Sequence, residues 1–182
     1  MSLTDLNIDS SWTLFLDRDG VINDRLIDDY VKQLNELRII DGVPQAIATF
    51  NQLFGRTVVV TNQQGIGKGL MTADDLDLIH GYMSEVFKQH GGQIDRYYFA
   101  PELKEENSPN RKPGTGMGLQ AQGDFPEIDF EKSVMIGDSE SDIEFGMNLG
   151  MKTIMLKNDR NISTKADYIF QNLYEVSLQL KK

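Results

Sequence analysis

The stretch "LFLDRDGVIND" (residues 14–24) begins with residues that a buried strand uses and then sets two aspartates, Asp17 and Asp19, at that strand's exit. An arginine separates them and a glycine follows. Asp and Gly are also ordinary residues of a surface turn. The fragment alone therefore has two readings: a turn, or a pair of carboxylates presented on purpose at a strand end. Residues two apart in an extended chain point to the same side, so the second reading would aim both carboxylates at one place. What the other strands carry at their ends decides between them.

Working outward, short apolar runs alternate with longer amphipathic ones. "TLFL" (13–16) reads as a strand. A helix is expected over 43–54, with Val43, Ala46, Ile47, Phe50 and Phe54 on one face and Gly55 as its stop. "TVVVT" (57–61) is short and β-branched throughout, which marks a buried strand. Thr72 caps the next helix with Asp75 at the capping-box position, and Leu76, Ile79, Met83 and Val86 or Phe87 give its stripe. "YYFA" (97–100), "SVMIG" (133–137), "TIML" (153–156) and a short "YIF" (168–170) read as further strands. Helices are expected over 140–149, ended by Gly150, and over 173–180. Strands alternating with helices predict a three-layer α/β/α fold around a mostly parallel sheet. Ligands of such sheets bind beyond the carboxyl ends of the strands.

The chain has 182 residues, 40% hydrophobic and 25% charged, the balance of a globular protein with a sizeable core. No repeat, linker or low-complexity segment divides it, so one domain over 1–182 is expected. No apolar run approaches the roughly 18 residues of a membrane span, and the N-terminus lacks the basic start and apolar core of a signal peptide; a cytoplasmic protein without a membrane partner is expected. The net charge of −10 repels phosphate backbones, which argues against nucleic acid. It leaves room for a small anionic substrate held by local cations and a metal. The absence of cysteine removes disulfides, thiol catalysis and cysteine-bound zinc. His80 and His90, ten apart in one expected helix, miss the spacing that would pair them on one face and read as solvated or half-buried. Oligomeric state stays open.

The strand ends carry a consistent set. Asp17 and Asp19 follow the first strand; Thr61 ends the second and leads into "NQQGIGKG". Arg111 and Lys112 close the polar loop after the third. Asp138 and Asp142 follow the fourth in "GDSESD". Carboxylates brought into contact repel unless a cation neutralises them. An all-oxygen set suits Mg2+, which keeps several waters and shares its ligands with a phosphate; Thr, Arg and Lys then hold the remaining phosphate oxygens. Each item has a plain alternative, since Asp138 and Asp142 also suit a helix N-terminus and Arg111 and Lys112 could be solvated. Their order at successive strand ends favours one site. "GIGKG" lacks the spacing and the Ser/Thr of a phosphate loop and reads as a loop leading into the Thr72 helix, and "GTGMG" does not directly follow a strand and is discounted as a dinucleotide fingerprint.

With these motifs in view, "FLDRDG", "VVVTN", the lysine of "RKPG" and "IGDSESD", the sequence resembles the haloacid dehalogenase superfamily of phosphohydrolases over about residues 14–157. "LFLDRDGVIN", "VVVTNQQGIGKG", "NRKPGTGM" and "YVKQLNELRIIDGV" are similar to its subfamily of histidinol phosphatases and D-glycero-D-manno-heptose-1,7-bisphosphate phosphatases. The resemblance implies a Rossmann-like phosphatase domain that uses Mg2+ and an aspartyl-phosphate. By it, Asp17 is the nucleophile and Asp19 the acid that protonates the leaving alcohol and then activates water. Arg18 points away and is structural, and Gly20 lets the chain turn. The metal is held by the Asp17 carboxylate, the Asp19 main-chain carbonyl and Asp138. Thr61 and Lys112 neutralise the transferring phosphoryl group. Arg111 fixes the substrate, the backbone of Asn62, Gln63 and Gln64 lines the site, and Asp142 stands behind the ligands. The 42 residues from Asp19 to Thr61 and the 51 from Thr61 to Lys112 leave no room for a separate cap, so the segments 24–31 and 101–111 are expected to set specificity.

The chain also departs from that subfamily, whose members commonly hold zinc on three cysteines and a histidine before the RKP motif. Those positions here are Ala100, Glu102, Ser108 and Asn110, which cannot make that site. The substrate implied is a small phosphorylated metabolite, leaning to the heptose 1,7-bisphosphate with loss of the 7-phosphate, with histidinol phosphate as the alternative. Two other classes compete: a phospho-acceptor signalling domain, whose aspartates are distributed differently, and a noncatalytic subunit, which the complete motif set disfavours.

Overall fold

The computed structural model describes residues 3–157 and 165–181. Its six strands are β1 (Thr13–Leu16), β2 (Arg56–Asn62), β3 (Arg96–Ala100), β4 (Ser133–Gly137), β5 (Lys152–Leu156) and β6 (Tyr168–Phe170). They form one sheet in the order β3-β2-β1-β4-β5-β6, with every neighbouring pair parallel. The chain winds outward from β1 through β2 and β3, then returns to β4 on the other side. The strand order reverses at β1 and β4, the place where a doubly wound sheet opens a crevice.

Side-chain alternation divides the core into two layers. Leu14 and Leu16 of β1, with Val59, Val134, Ile136 and Ile154, face α1 (Val43–Phe50), α3 (Ala73–Gln89) and α6 (Leu173–Leu180). Phe15, in register with Val58 and Met135, faces the opposite way with α4 (Gly116–Asp124) and α5 (Glu140–Leu149). Both sheet faces are covered, so the inner strands are buried along their length, as their unbroken apolar sequences predict. Among the described residues, no helix is long and apolar enough to cross a membrane.

Three local readings change. The helix expected over 43–54 ends at Phe50. The N–H groups of Leu53 and Phe54 both donate to the Phe50 carbonyl (2.9 and 2.8 Å), so the chain tightens while Phe54 still packs edge-on against Phe50. Gly55 is not a left-handed stop; a Cβ there would strike the Ser10 carbonyl. Residues 116–124, to which the sequence reading assigns no element, form α4 between β3 and β4. Three glycines weaken its helical signal, and only Met117, Gly118 and Ala121 are buried. His80 is buried and stacks on Tyr97 with ring centroids 4.3 Å apart.

Candidate active site

The site lies beyond the carboxyl ends of β1, β2 and β4. The Asp17 N–H donates to the Ile136 carbonyl (3.0 Å), which carries the ladder one residue past β1 and fixes Asp17 against β4. The Lys112 ammonium donates to Asp17 Oδ1 (2.7 Å) and the Val60 carbonyl (2.7 Å) and pairs with Asp142 Oδ1 (2.6 Å). Its loop is clamped by Asn62: Oδ1 accepts from the Lys112 N–H (2.9 Å), and Nδ2 donates to the Lys112 carbonyl (3.1 Å). Asn62 thus acts with its side chain, a contact the reading of a backbone lining missed.

Asp142 caps α5. Its Oδ2 accepts from Ser139 N (3.0 Å) and Ser139 Oγ (2.6 Å), while its other oxygen holds Lys112. Both oxygens are engaged, so Asp142 ties Lys112 to the start of α5. Gly137 has to be glycine here, because a Cβ would run into the Asp142 side chain. Asp138 is buried, with Arg25 Nη1 3.2 Å from both carboxylate oxygens. Gly20, at φ +90°, makes the turn after Asp19, and a Cβ on it would collide with the Asp138 carboxylate. The two glycines create the space in which the carboxylates meet.

Asp17, Asp138 and Asp142 each bring a carboxylate oxygen within 4.8 Å of the others. Burial drives the Asp17 carboxyl above its ordinary range and, against the Lys112 ammonium, Asp142, Asp138 and Asp19 drive it further. Burial opposes the Lys112 charge, but Asp142 and Asp17 override it and hold the ammonium protonated. Three buried carboxylates share one buried ammonium and the half-exposed Arg25. An excess of negative charge with hard oxygen donors fits a divalent cation such as Mg2+. Asp17 and Asp138 would hold it, together with the main-chain carbonyl of Asp19.

Around Asp19 the structure corrects one expectation. Arg18 does not point away; it is fully buried and turns back onto its neighbour. Its Nη2 donates to both Asp19 oxygens (2.7 and 2.9 Å), and Nε adds a third bond of 3.2 Å. Asn23 Nδ2 and Gln63 Nε2 donate to the same carboxylate (2.9 and 2.8 Å). Burial alone would raise the Asp19 carboxyl, but Arg18 and these hydrogen bonds hold it below the ordinary range. The Gln63 side chain also donates to Thr61 Oγ1 (2.9 Å), coupling the β1 and β2 ends. Asn23 was not a candidate by sequence; four residues past Asp19 in "DGVIND", its position is the only signal it gave.

Above these groups is a cleft of about 520 Å³, lined by Thr61, Arg25, Tyr30, Lys68 and Arg111 among others. Gln64 ties its two walls together. Its Nε2 donates to Tyr30 Oη (2.7 Å), and its Oε1 accepts from the Lys104 N–H (3.3 Å), joining the 24–31 and 101–111 segments. Arg25 and Tyr30 belong to the 24–31 segment expected to set specificity, though neither was singled out, and Lys68 was not foreseen as a site residue. At the four positions that the sequence reading compared with a zinc loop, Glu102, Ser108 and Asn110 are hydrogen-bonded to one another, and Ala100 ends β3.

A HAD-hydrolase-like family model matches residues 109–176. The chain is 38% identical over 173 residues, 90% of each sequence, to D-glycero-alpha-D-manno-heptose-1,7-bisphosphate 7-phosphatase of Burkholderia mallei. It is 33% identical to D-glycero-D-manno-heptose-1,7-bisphosphate 7-phosphatase of Chlorobaculum tepidum, over 92% of this chain and 93% of that one. Among solved structures it is similar to D,D-heptose 1,7-bisphosphate phosphatase of B. bronchiseptica complexed with magnesium and phosphate: TM-score 0.84, 28% identity, 93% of this chain and 97% of that one. With identity at this level along nearly the whole length, the chain belongs to the family of D-glycero-D-manno-heptose-1,7-bisphosphate 7-phosphatases, within the haloacid dehalogenase-like hydrolases.

Proposed function

We propose that the chain is a Mg2+-dependent phosphomonoesterase that removes the 7-phosphate of D-glycero-D-manno-heptose 1,7-bisphosphate, working as one phosphatase unit over 1–182 without a separate cap. The observation that carries the reading is the buried meeting of Asp17, Asp138 and Lys112 beneath a cleft lined by Arg25, Lys68 and Arg111. Family membership supports the substrate class.

The chain's own groups divide the work. Asp17 attacks phosphorus, its new P–O bond forming as the bond to the sugar oxygen breaks. The leaving oxygen takes a proton from Asp19. Lys112, fixed by Asp142 and the Asn62 clamp, and the Thr61 hydroxyl face the charge on the transferring group. Water then attacks the aspartyl-phosphate, Asp19 receives its proton, and the P–O bond to Asp17 breaks to free phosphate. In the pose seen, both Asp19 oxygens accept hydrogen bonds, the state of a base. To serve as acid it must exchange one of those bonds for a proton. Bound Mg2+ supplies electrostatic stabilisation of the phosphoryl oxygens.

Phosphate release with Mg2+ should be measured on the heptose 1,7-bisphosphate, histidinol phosphate and p-nitrophenyl phosphate, with phosphorus NMR to identify which ester is lost. Preference for the bisphosphate with loss of the 7-phosphate is expected. Preference for histidinol phosphate would overturn the substrate. Release from none of the three would overturn the enzyme reading in favour of a signalling or noncatalytic protein.

A further inference from the structure

The segment between β3 and Lys112 is organised by a single side chain. Glu102 Oε1 accepts from Ser108 Oγ (2.9 Å) and Asn110 Nδ2 (3.2 Å). Ser108 Oγ accepts in turn from the Asn110 N–H (3.2 Å). The main-chain carbonyl of Glu102 accepts from Arg111 Nη1 (3.3 Å). The turn therefore closes on residue 102 from the far end, and the guanidinium is tied to the same residue. Glu102 Oε2 is buried without a hydrogen-bond partner among the described residues, so the work of the carboxylate is done by the other oxygen. The segment is also anchored to α2 (Gln64–Gly67), where the Gly67 N–H donates to the Pro101 carbonyl (3.2 Å).

The anchoring fixes where Arg111 stands. Arg111 and Lys112 are adjacent in sequence, yet the ammonium is tied to Asp17 and the guanidinium to residue 102. The two cations serve two places. Arg111 sits where the catalytic cleft meets a second cavity of about 430 Å³, and both are lined by Asn62, Arg111 and Lys112. Lys104 also lines that second cavity. In a chain of net charge −10, two cations facing a cavity beside the reacting phosphate mark a seat for a second anionic group.

We propose that Glu102 is a positioning residue that sets Arg111 to receive the anionic group of the substrate that does not react, and thereby gives the enzyme its preference for a doubly phosphorylated sugar. This rests on the phosphomonoesterase reading above. The glutamate touches no reacting atom; it acts through the turn and through Arg111.

Binding separates this inference from turnover. Calorimetric titration with Mg2+ in an Asp17→Asn background should compare heptose 1,7-bisphosphate with heptose 7-phosphate, which differ only in the second phosphate. The parent is expected to bind the bisphosphate more tightly. Glu102→Ala should remove about ten-fold of that advantage, the scale of one well-aimed charge-assisted contact, with less effect on the monophosphate. Glu102→Gln, which keeps the accepting oxygen, should restore most of it. On top of Arg111→Ala, Glu102→Ala should add nothing. If Glu102→Ala does not fold, Ser108→Ala removes one of the two side-chain bonds and should give a smaller loss of about three-fold. Equal weakening of both ligands, additive effects of the two substitutions, or a parent with no preference would each overturn the proposal. Tight bisphosphate binding without hydrolysis of the bisphosphate by the unsubstituted enzyme would instead overturn the substrate reading and leave this one standing.

Discussion

At the scale of single residues, Asp17 and Asp19 are held by different partners and should fail differently. Asp17 meets Lys112, and with Asp17 as the proposed nucleophile, Asp17→Asn should abolish turnover on every ester. Asp19 meets Arg18, Asn23 and Gln63, and Asp19→Asn keeps its main-chain carbonyl. The loss of proton transfer is worth roughly 100- to 10,000-fold and should shrink as the leaving oxygen becomes less basic. Pre-steady-state phosphoryl transfer from an alkyl phosphate and from p-nitrophenyl phosphate checks this; equal mutant-to-parent ratios would remove Asp19 from the acid role. Arg25 gives a third case. Its guanidinium lies against Asp138, half exposed, where it competes with a divalent ion for the same carboxylate. Arg25→Ala should tighten Mg2+ binding by about two- to five-fold, the range of an exposed ion pair, in a low-salt titration. Weaker binding would mean that Arg25 helps assemble the site.

Elements show how this site is supported from behind. Helix α3 places His80 flat against Tyr97 of β3, and its Nε2 is buried without a partner among the described residues. Burial, with the nearby Arg18 charge, lowers the His80 pKa from 6.5 to about 3. The unfolded chain therefore takes up this proton first. Stability from the neutral ring is complete above about pH 6.5 and declines as pH falls toward 3. The slope is about 1.4 kcal/mol per pH unit, or about 2 kcal/mol between pH 7 and 5. His80→Phe should lose that part of the acid slope in denaturant unfolding at the two pH values; an unchanged slope would assign it to carboxylates. This burial was illegible in the sequence, because a lone histidine on a helix looks the same inside or out. What was legible had redundant signals: β1, β2 and β4 are unbroken apolar runs ending in site residues, and α3 carries both a capping box and a stripe. Helix α4 had neither. Glycines dilute its propensity, and its contact with α5 depends on Gly118, where a Cβ would come within 2.5 Å of Leu149. The motif aspartates were readable for the same reason as the strands. The roles of the Asn62, Gln63 and Glu102 side chains were not, since hydrogen bonds between distant loops leave no period in a sequence.

The whole molecule sets its carboxylates against its own stability. The core closes on both sheet faces, and the sheet then delivers Asp17, Asp138 and Asp142 into one buried cluster within a chain already at −10. Like charges at that separation raise the free energy of the folded state unless a cation joins them, a strain of the kind that folds keep at functional sites. Two consequences follow for thermal unfolding. Mg2+ should stabilise the protein, by about 2.7 kcal/mol at roughly 100 times its Kd, or about 5–10 °C for a chain of this length. Zn2+ should not be needed, because no cysteine is present and Glu102 Oε1 already closes this turn through Ser108 and Asn110. Asp138→Asn gives the sharper test. It removes one charge from the cluster and one metal ligand while leaving the packing nearly unchanged. The ion pair it gives up with the half-exposed Arg25 is worth little. In EDTA the variant should melt no lower than the parent; in Mg2+ the parent should rise and the variant should not. A variant that melts several degrees lower in EDTA would show that Asp138 holds the fold together on its own account, and the electrostatic argument for a metal at this cluster would fail.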